Sequence, residues 1–266
     1  MDLGLKGRVA VVTGGSRGIG KATAQALARE GADVALIARN IQDAEASALN
    51  IAKETGRTVR AYSADTGRDD AVRGAFAKVI NDFGRLDILV NAAAQPGGQA
   101  PPPKLSEITT EDFWSDLNVK VLGYLRCARE AAPHMLKGRW GRIVNISGLA
   151  ARSTGSIIGS IRNIGVAALT KNLADELGPG GINVTCVHPG MTRTEKTAGL
   201  VQRRAEAAGV TPEEIEQRMA AANTIRHLVT AEEVADIVAF LASPRSIAIN
   251  GDVIAAGGGM PSAIYY

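Results

Sequence analysis

Seven short runs rich in valine, isoleucine and alanine recur along the chain: "RVAVVTG", "DVALIAR", "RTVRAYSAD", "RLDILVNAA", "GRIVNIS", "INVTCVHPG" and "GDVIAAGGG". Continuous apolar runs of this length suit strands covered on both faces, and helical stretches separate them. "GKATAQALAREGA", "DDAVRGAFAKVINDFG" and "TAEEVADIVAFLAS" repeat apolar residues at helical spacing, and the last opens on a Thr230 to Glu233 capping box. The pattern predicts an α/β fold: a doubly wound parallel sheet covered by helices, in a single domain spanning residues 1–266.

Two segments interrupt the alternation. "QPGGQAPPPKLSEITT" begins at Gln95, and residues 191–229 form an insertion with its own helix start at Thr211 and Pro212. Both follow a strand, and in open parallel sheets the ligand crevice lies beyond the carboxyl ends of the strands. They are the expected walls of a substrate pocket.

A chain of 266 residues with 45% hydrophobic and 21% charged residues can organise one core. Its 30 basic and 27 acidic side chains are interspersed, so no basic stripe for nucleic acid stands out. Cys127 and Cys186 lie far apart without a Cys/His cluster, which predicts core thiols and no metal site. The N-terminal residues lack a basic-then-apolar leader, and no apolar run is long enough to span a bilayer. A cytoplasmic protein with no membrane partner is expected.

After the first strand, "TGGSRGIGKATAQALA" places Gly14, Gly18 and Gly20 at the start of a helix, with Ser16, Arg17 and Ile19 between them. Glycines permit a tight turn and close approach to a pyrophosphate, whose charge meets the free amides and positive end of the helix. An acidic residue ending the second strand would bind ribose hydroxyls, but this chain has Ala38, Arg39 and Asn40 there. Arg17 and Arg39 are candidates to clamp a 2′-phosphate, so the expected cofactor is NADP(H).

"TGGSRGIG", "LVNAAA", "LNVKVLGYL", "GRIVNISG", "VHPGMTRT" and "INGDVIAAGGG" together resemble motifs of the short-chain dehydrogenase/reductase family along nearly the whole chain. The resemblance implies a Rossmann-type sheet, with Asp65 and Thr66 facing adenine and Asn91 and Ala92 beside the ribose. It places Pro189, Gly190, Thr192 and Thr194 at the carboxamide. Asp65 read on its own also suits a strand-end cap, and the threonines ordinary turns. Asn118 and Ser147 match the family's catalytic Asn and approach its Ser; alternatively, Asn118 bonds to backbone.

The resemblance also implies a Tyr that donates a proton and a Lys that tunes it, but those slots hold Gly159 and Asn163. Arg162 beside the Lys slot reads either as an anion binder or as an exposed helix cation. His188 titrates in a useful range, and Tyr265 and Tyr266 could donate only from a neighbouring subunit. Three functions stay open: an oxidoreductase of unknown carbonyl or alcohol with a rebuilt site, a cofactor-holding partner subunit, and a non-redox lyase or hydrolase. By resemblance, helices from Phe113 to Leu136 and Gly159 to Leu177 would pair copies into a homotetramer, or pair the chain with an active homologue.

Overall fold

The computed structural model describes residues 2–95, 101–262 and 264. Seven parallel strands form one sheet in the order β3-β2-β1-β4-β5-β6-β7: β1 Val9–Thr13, β2 Asp33–Ala38, β3 Val59–Ser63, β4 Ile88–Asn91, β5 Gly141–Ile146, β6 Ile182–Pro189 and β7 Val253–Ala256. Every expected strand is present. β1, β4, β5 and β6 are buried along their whole lengths, which explains their unbroken apolar character. The order reverses between β1 and β4, so their carboxyl ends diverge into a crevice.

The helices are α1 Gly18–Arg29, α2 Ile41–Thr55, α3 Asp69–Phe83, α4 Thr110–Leu117, α5 Gly123–Gly138, α6 Ile157–Leu177, α7 Thr197–Ala208, α8 Pro212–Ala220 and α9 Ala231–Leu241. On one face of the sheet Leu27, Val234 and Val238 pack with Leu36 and Val90. On the other, Phe76, Val79 and Met135 pack with Leu89 and Ile143. Each large side chain so buried is worth about 1.5–3 kcal/mol. Cys127 and Cys186 are buried free thiols.

Local chemistry sets the helix ends. The Asn40 side chain accepts from the amides of Gln42 and Asp43 to start α2, and Gly56 ends it at φ 67°. The Thr230 and Glu233 box opens α9 as expected; Thr211 and Glu214 form a second ahead of α8, with Pro212 in its first turn. The helix expected from Phe113 starts earlier, because Thr109 and Asp112 cap it, and it is not continuous. Residues 118–122 widen into a π-turn before α5 begins. Such a turn re-aims the side chains it carries, here Asn118 and Lys120.

α6 also begins before the expected Gly159, since the Ser156 hydroxyl accepts from the Gly159 amide and caps the helix. Gly159 therefore sits in the first turn, where the interior-helix penalty for glycine does not fully apply. The insertion folds α7 and α8 around a small core of its own, including Val201, Ile215 and Met219.

A buried polar rung fastens the centre of the sheet to α6. Asn91 and Asn145 are register partners on β4 and β5, and Asn91 Nδ2 donates to Asn145 Oδ1 at 2.9 Å. Asn145 Nδ2 donates onward to Thr170 Oγ1 at 3.0 Å. Asn145→Ala strands the Asn91 donor in a dry interior, and guanidinium unfolding is expected to show a loss of about 1–3 kcal/mol with an unchanged slope.

Candidate functional site

The glycine loop closes against the start of β4's following segment. Gly14 has φ +68°, and a Cβ there would lie 2.9 Å from the backbone of Ala92 and Ala93. A Cβ on Gly20 would overlap the Gly14 carbonyl oxygen. Only glycine allows both the left-handed turn and this close approach. α1 then presents its first amides outward, and the Gly18 N–H donates to Glu195 Oε2 at 2.9 Å. An oxygen anion already stands at the positive end of that helix.

Arg17 and Arg39 flank this point, both exposed and neither in an ion pair among the described residues. Ser16 uses its carbonyl to accept from Ser47 Oγ, and Ile19 packs partly into the core. The Asn40 side-chain oxygen accepts from the Gln42 and Asp43 amides at the α2 cap.

The remaining crevice residues divide by what their side chains do. Asp65 Oδ1 accepts from the Gly67 amide, and the buried Thr66 donates to the Val119 carbonyl, which pins the turn after β3. Asn118 Nδ2 donates to the Gly67 carbonyl at 3.1 Å, the backbone-bonded alternative for this residue. The Asn91 side chain lies in the sheet rung, while the amides of Ala92 and Ala93 share Thr13 Oγ1. Pro189 ends β6, Gly190 packs against Gly257, and Thr192 and Thr194 are held by a local network with Thr197.

At the slots that the family resemblance assigns to proton transfer, a different cluster has formed. Ser147 Oγ donates to the Asn163 carbonyl at 3.0 Å and is spent on the α6 backbone. Asn163 Oδ1 accepts from Lys120 Nζ at 2.9 Å, and the same ammonium donates to the Ser147 carbonyl at 3.0 Å. Lys120 is only 4% exposed. Burial, then the nearby Arg162 cation, pushes its pKa down to about 7.

Sequence reasoning overlooked Lys120, although "NVKVLGYL" carries the signal: a lone cation in an otherwise apolar helical stretch. The alternative of an exposed Arg162 is corrected, since it is buried and paired with Asp116 on α4. His188 is 2% exposed with both ring nitrogens unpartnered among the described residues. Burial, then Arg152 and Lys120, lower its pKa to about 4, so it is a neutral imidazole at pH 7. Tyr124 donates to the Ile146 carbonyl from a buried position. Tyr265 and Tyr266 lie outside the described residues.

The sheet order, the glycine loop at its reversal and the polar crevice above define a dinucleotide-binding α/β protein. A family model described as "Enoyl-(Acyl carrier protein) reductase" matches residues 14–261. The short-chain reductase protein NovJ of Streptomyces niveus is 34% identical over 95% of this chain and 94% of its own length. The NADPH-dependent reductase BacG of Bacillus subtilis is 30% identical over 97% of this chain and 99% of its own. L-sorbose reductase from Gluconobacter frateurii, solved with NADPH and L-sorbose, superposes with a TM-score of 0.92 at 27% identity, covering 99% of this chain and 100% of that one. The chain belongs to the short-chain dehydrogenase/reductase family.

Lys120 generates a pH signature. Its folded pKa of about 7 lies below the ordinary 10.5, so between these values the unfolded chain binds the extra proton and stability rises with pH. Lys120→Met removes that contribution. Relative to the parent, the variant is expected to have its largest stability advantage below pH 7, shrinking to its limit as pH approaches 10.5, as read by denaturant midpoints across pH.

Proposed function

We propose that the protein is an NADP(H)-dependent oxidoreductase that interconverts a carbonyl and an alcohol through a rebuilt polar site. The observation that carries the cofactor choice is the pair of unpaired guanidinium groups, Arg17 and Arg39, beside a glycine loop with no carboxylate at the end of β2. Arg offers planar, charge-assisted donors suited to a phosphate. The loop from Gly14 to Gly20 would hold the pyrophosphate against α1, in competition with Glu195, and the segment from Gly190 to Thr194 would border the nicotinamide. When bound, the nicotinamide supplies or accepts the hydride.

The substrate side is supported by the insertion between residues 191 and 229. A cavity of about 300 Å³ there is lined by Met191, Ile215 and Met219 with Arg204 and Arg218. That lining suits an apolar molecule carrying a negative group. The site's own acid–base inventory differs from the resemblance, with Lys120 and a neutral His188 present and no tyrosine at residue 159.

Calorimetric titration is expected to show NADPH binding more tightly than NADH, with Arg39→Asp cancelling the preference by removing charge-assisted bonds worth about 1.5–3 kcal/mol each. Equal affinities in the parent would exclude the NADP(H) assignment.

We also infer a homo-oligomer built on α6. Ile157, Ile161 and Ile164 are 46%, 44% and 52% exposed at spacings that place them on one helix face, with Trp114 of α4 also exposed. Light scattering should give a multiple of the chain mass, and the double substitution Ile161→Lys with Ile164→Lys should lower it. A monomeric parent at micromolar concentration overturns the inference.

A further inference from the structure

We propose that Asn163 donates the hydrogen bond that binds the oxygen of a carbonyl or alcohol substrate, and that Lys120 is the positioning residue that holds it in donor orientation. The proposal rests on the oxidoreductase reading above. In its protonated form Lys120 Nζ has donors and no acceptor, so it faces the oxygen of the Asn163 carboxamide through its 2.9 Å bond to Oδ1. The amide nitrogen must then point the other way. It points at Gly148: a Cβ built on that residue would lie 3.1 Å from Asn163 Nδ2.

Gly148 follows β5 after Ser147, at the carboxyl ends of the strands, and its lack of a side chain keeps the amide from being crowded. Ser147, one residue earlier, cannot serve there because its hydroxyl is committed to the Asn163 carbonyl. Asn163 Nδ2 itself donates to no described protein group. Its donor is therefore left for a ligand oxygen, as a neutral amide N–H, and the ring nitrogens of His188 are likewise unpartnered among the described residues.

Lys120 also changes the strength of that donor. A cation bonded to a carboxamide oxygen draws electron density from its nitrogen, and hydrogen bonds in such a chain reinforce one another in a dry site. A polarised amide N–H aimed at an oxygen that gains negative charge is an oxyanion-stabilising element. The groups around Lys120 leave its charge available for this. Asp116 of α4 is engaged by Arg162 of α6, and β6 contributes the Cys186 thiol and the neutral His188. Two carbonyl-type oxygens, and no carboxylate, receive the ammonium.

The test uses 15N-labelled full-length protein, with the Asn163 side-chain amide pair assigned by its disappearance in Asn163→Asp. In the parent, the pair is expected to shift as pH crosses about 7, following Lys120. It should shift again when cyclohexanone is added with NADP⁺. Lys120→Arg should keep the ketone response without the midpoint near neutrality. Lys120→Met should lose the midpoint and weaken the ketone response about tenfold, the equivalent of one hydrogen bond.

An Asn163 pair that cyclohexanone leaves unmoved overturns the proposal, as does a full ketone response in folded Lys120→Met. Cofactor loading is read separately from the backbone amides of Gly14 and Gly18. A chain that fails to bind NADP⁺ and a chain whose Asn163 is idle thus give different spectra, and the ketone alone then decides the role of Asn163. Should Lys120→Met fail to fold, the parent's pH titration and ketone response decide it.

Discussion

A parallel sheet must be covered on both faces, because its strands can be joined only by crossovers that lay helices over them. Here that constraint leaves one open edge of chemistry, the carboxyl ends of the strands where β1 and β4 diverge. The glycine loop, the turn after β3, the Asn163 cluster and the segment after β6 all gather there. None is close to the others in sequence. Their juxtaposition follows from strand order, and the buried rung from Asn91 through Asn145 to Thr170 fastens β4 and β5 to the helix that carries Asn163.

Within that frame, Lys120 is the costly element. An ammonium taken out of water loses solvation that two hydrogen bonds to neutral oxygens only partly replace, hence its lowered pKa. The fold tolerates it because the π-turn at residues 118–122 aims it inward, where a regular helix would place the same residue on a different bearing. The Asn163 carboxamide oxygen then faces it, and Gly148 lies against the Asn163 amide. The three positions form one unit: a longer side chain at residue 163 would compete with Lys120 for the same volume, and a side chain at 148 would crowd the Asn163 amide.

Electrostatics ties the cofactor side to the same logic. The Glu195 carboxylate accepts from the Gly18 amide at the positive end of α1, and Arg17 and Arg39 are exposed without an ion-pair partner among the described residues. The helix amides are set by backbone geometry, and the two exposed guanidinium groups are carried by side chains, one within the loop and one after β2. The exposed Ile157, Ile161 and Ile164 lie on α6 near its start, so the helix bearing Asn163 also carries an apolar outer face.

The seven strands, the α9 capping box, the glycine loop and the absence of an acid after β2 were legible in the sequence, because each depends on residues within a few positions of one another. Capping by Thr109 and Ser156 was just as local, yet the family resemblance placed those helix starts a few residues late. The family resemblance marks Asn118 and Ser147 as catalytic and Asn91 as a cofactor residue, and their side chains turn to the Gly67 carbonyl, the Asn163 carbonyl and Asn145. Nothing local specifies such partners. Lys120 and Asn163 stand 43 positions apart, and their hydrogen bond exists only because a π-turn and a sheet crossover bring two helices together over β5. The sequence by itself determined the sheet and its glycine loop. That Lys120 meets Asn163 was decided by tertiary structure alone, since burial and mutual orientation are properties of packed elements and not of residue order.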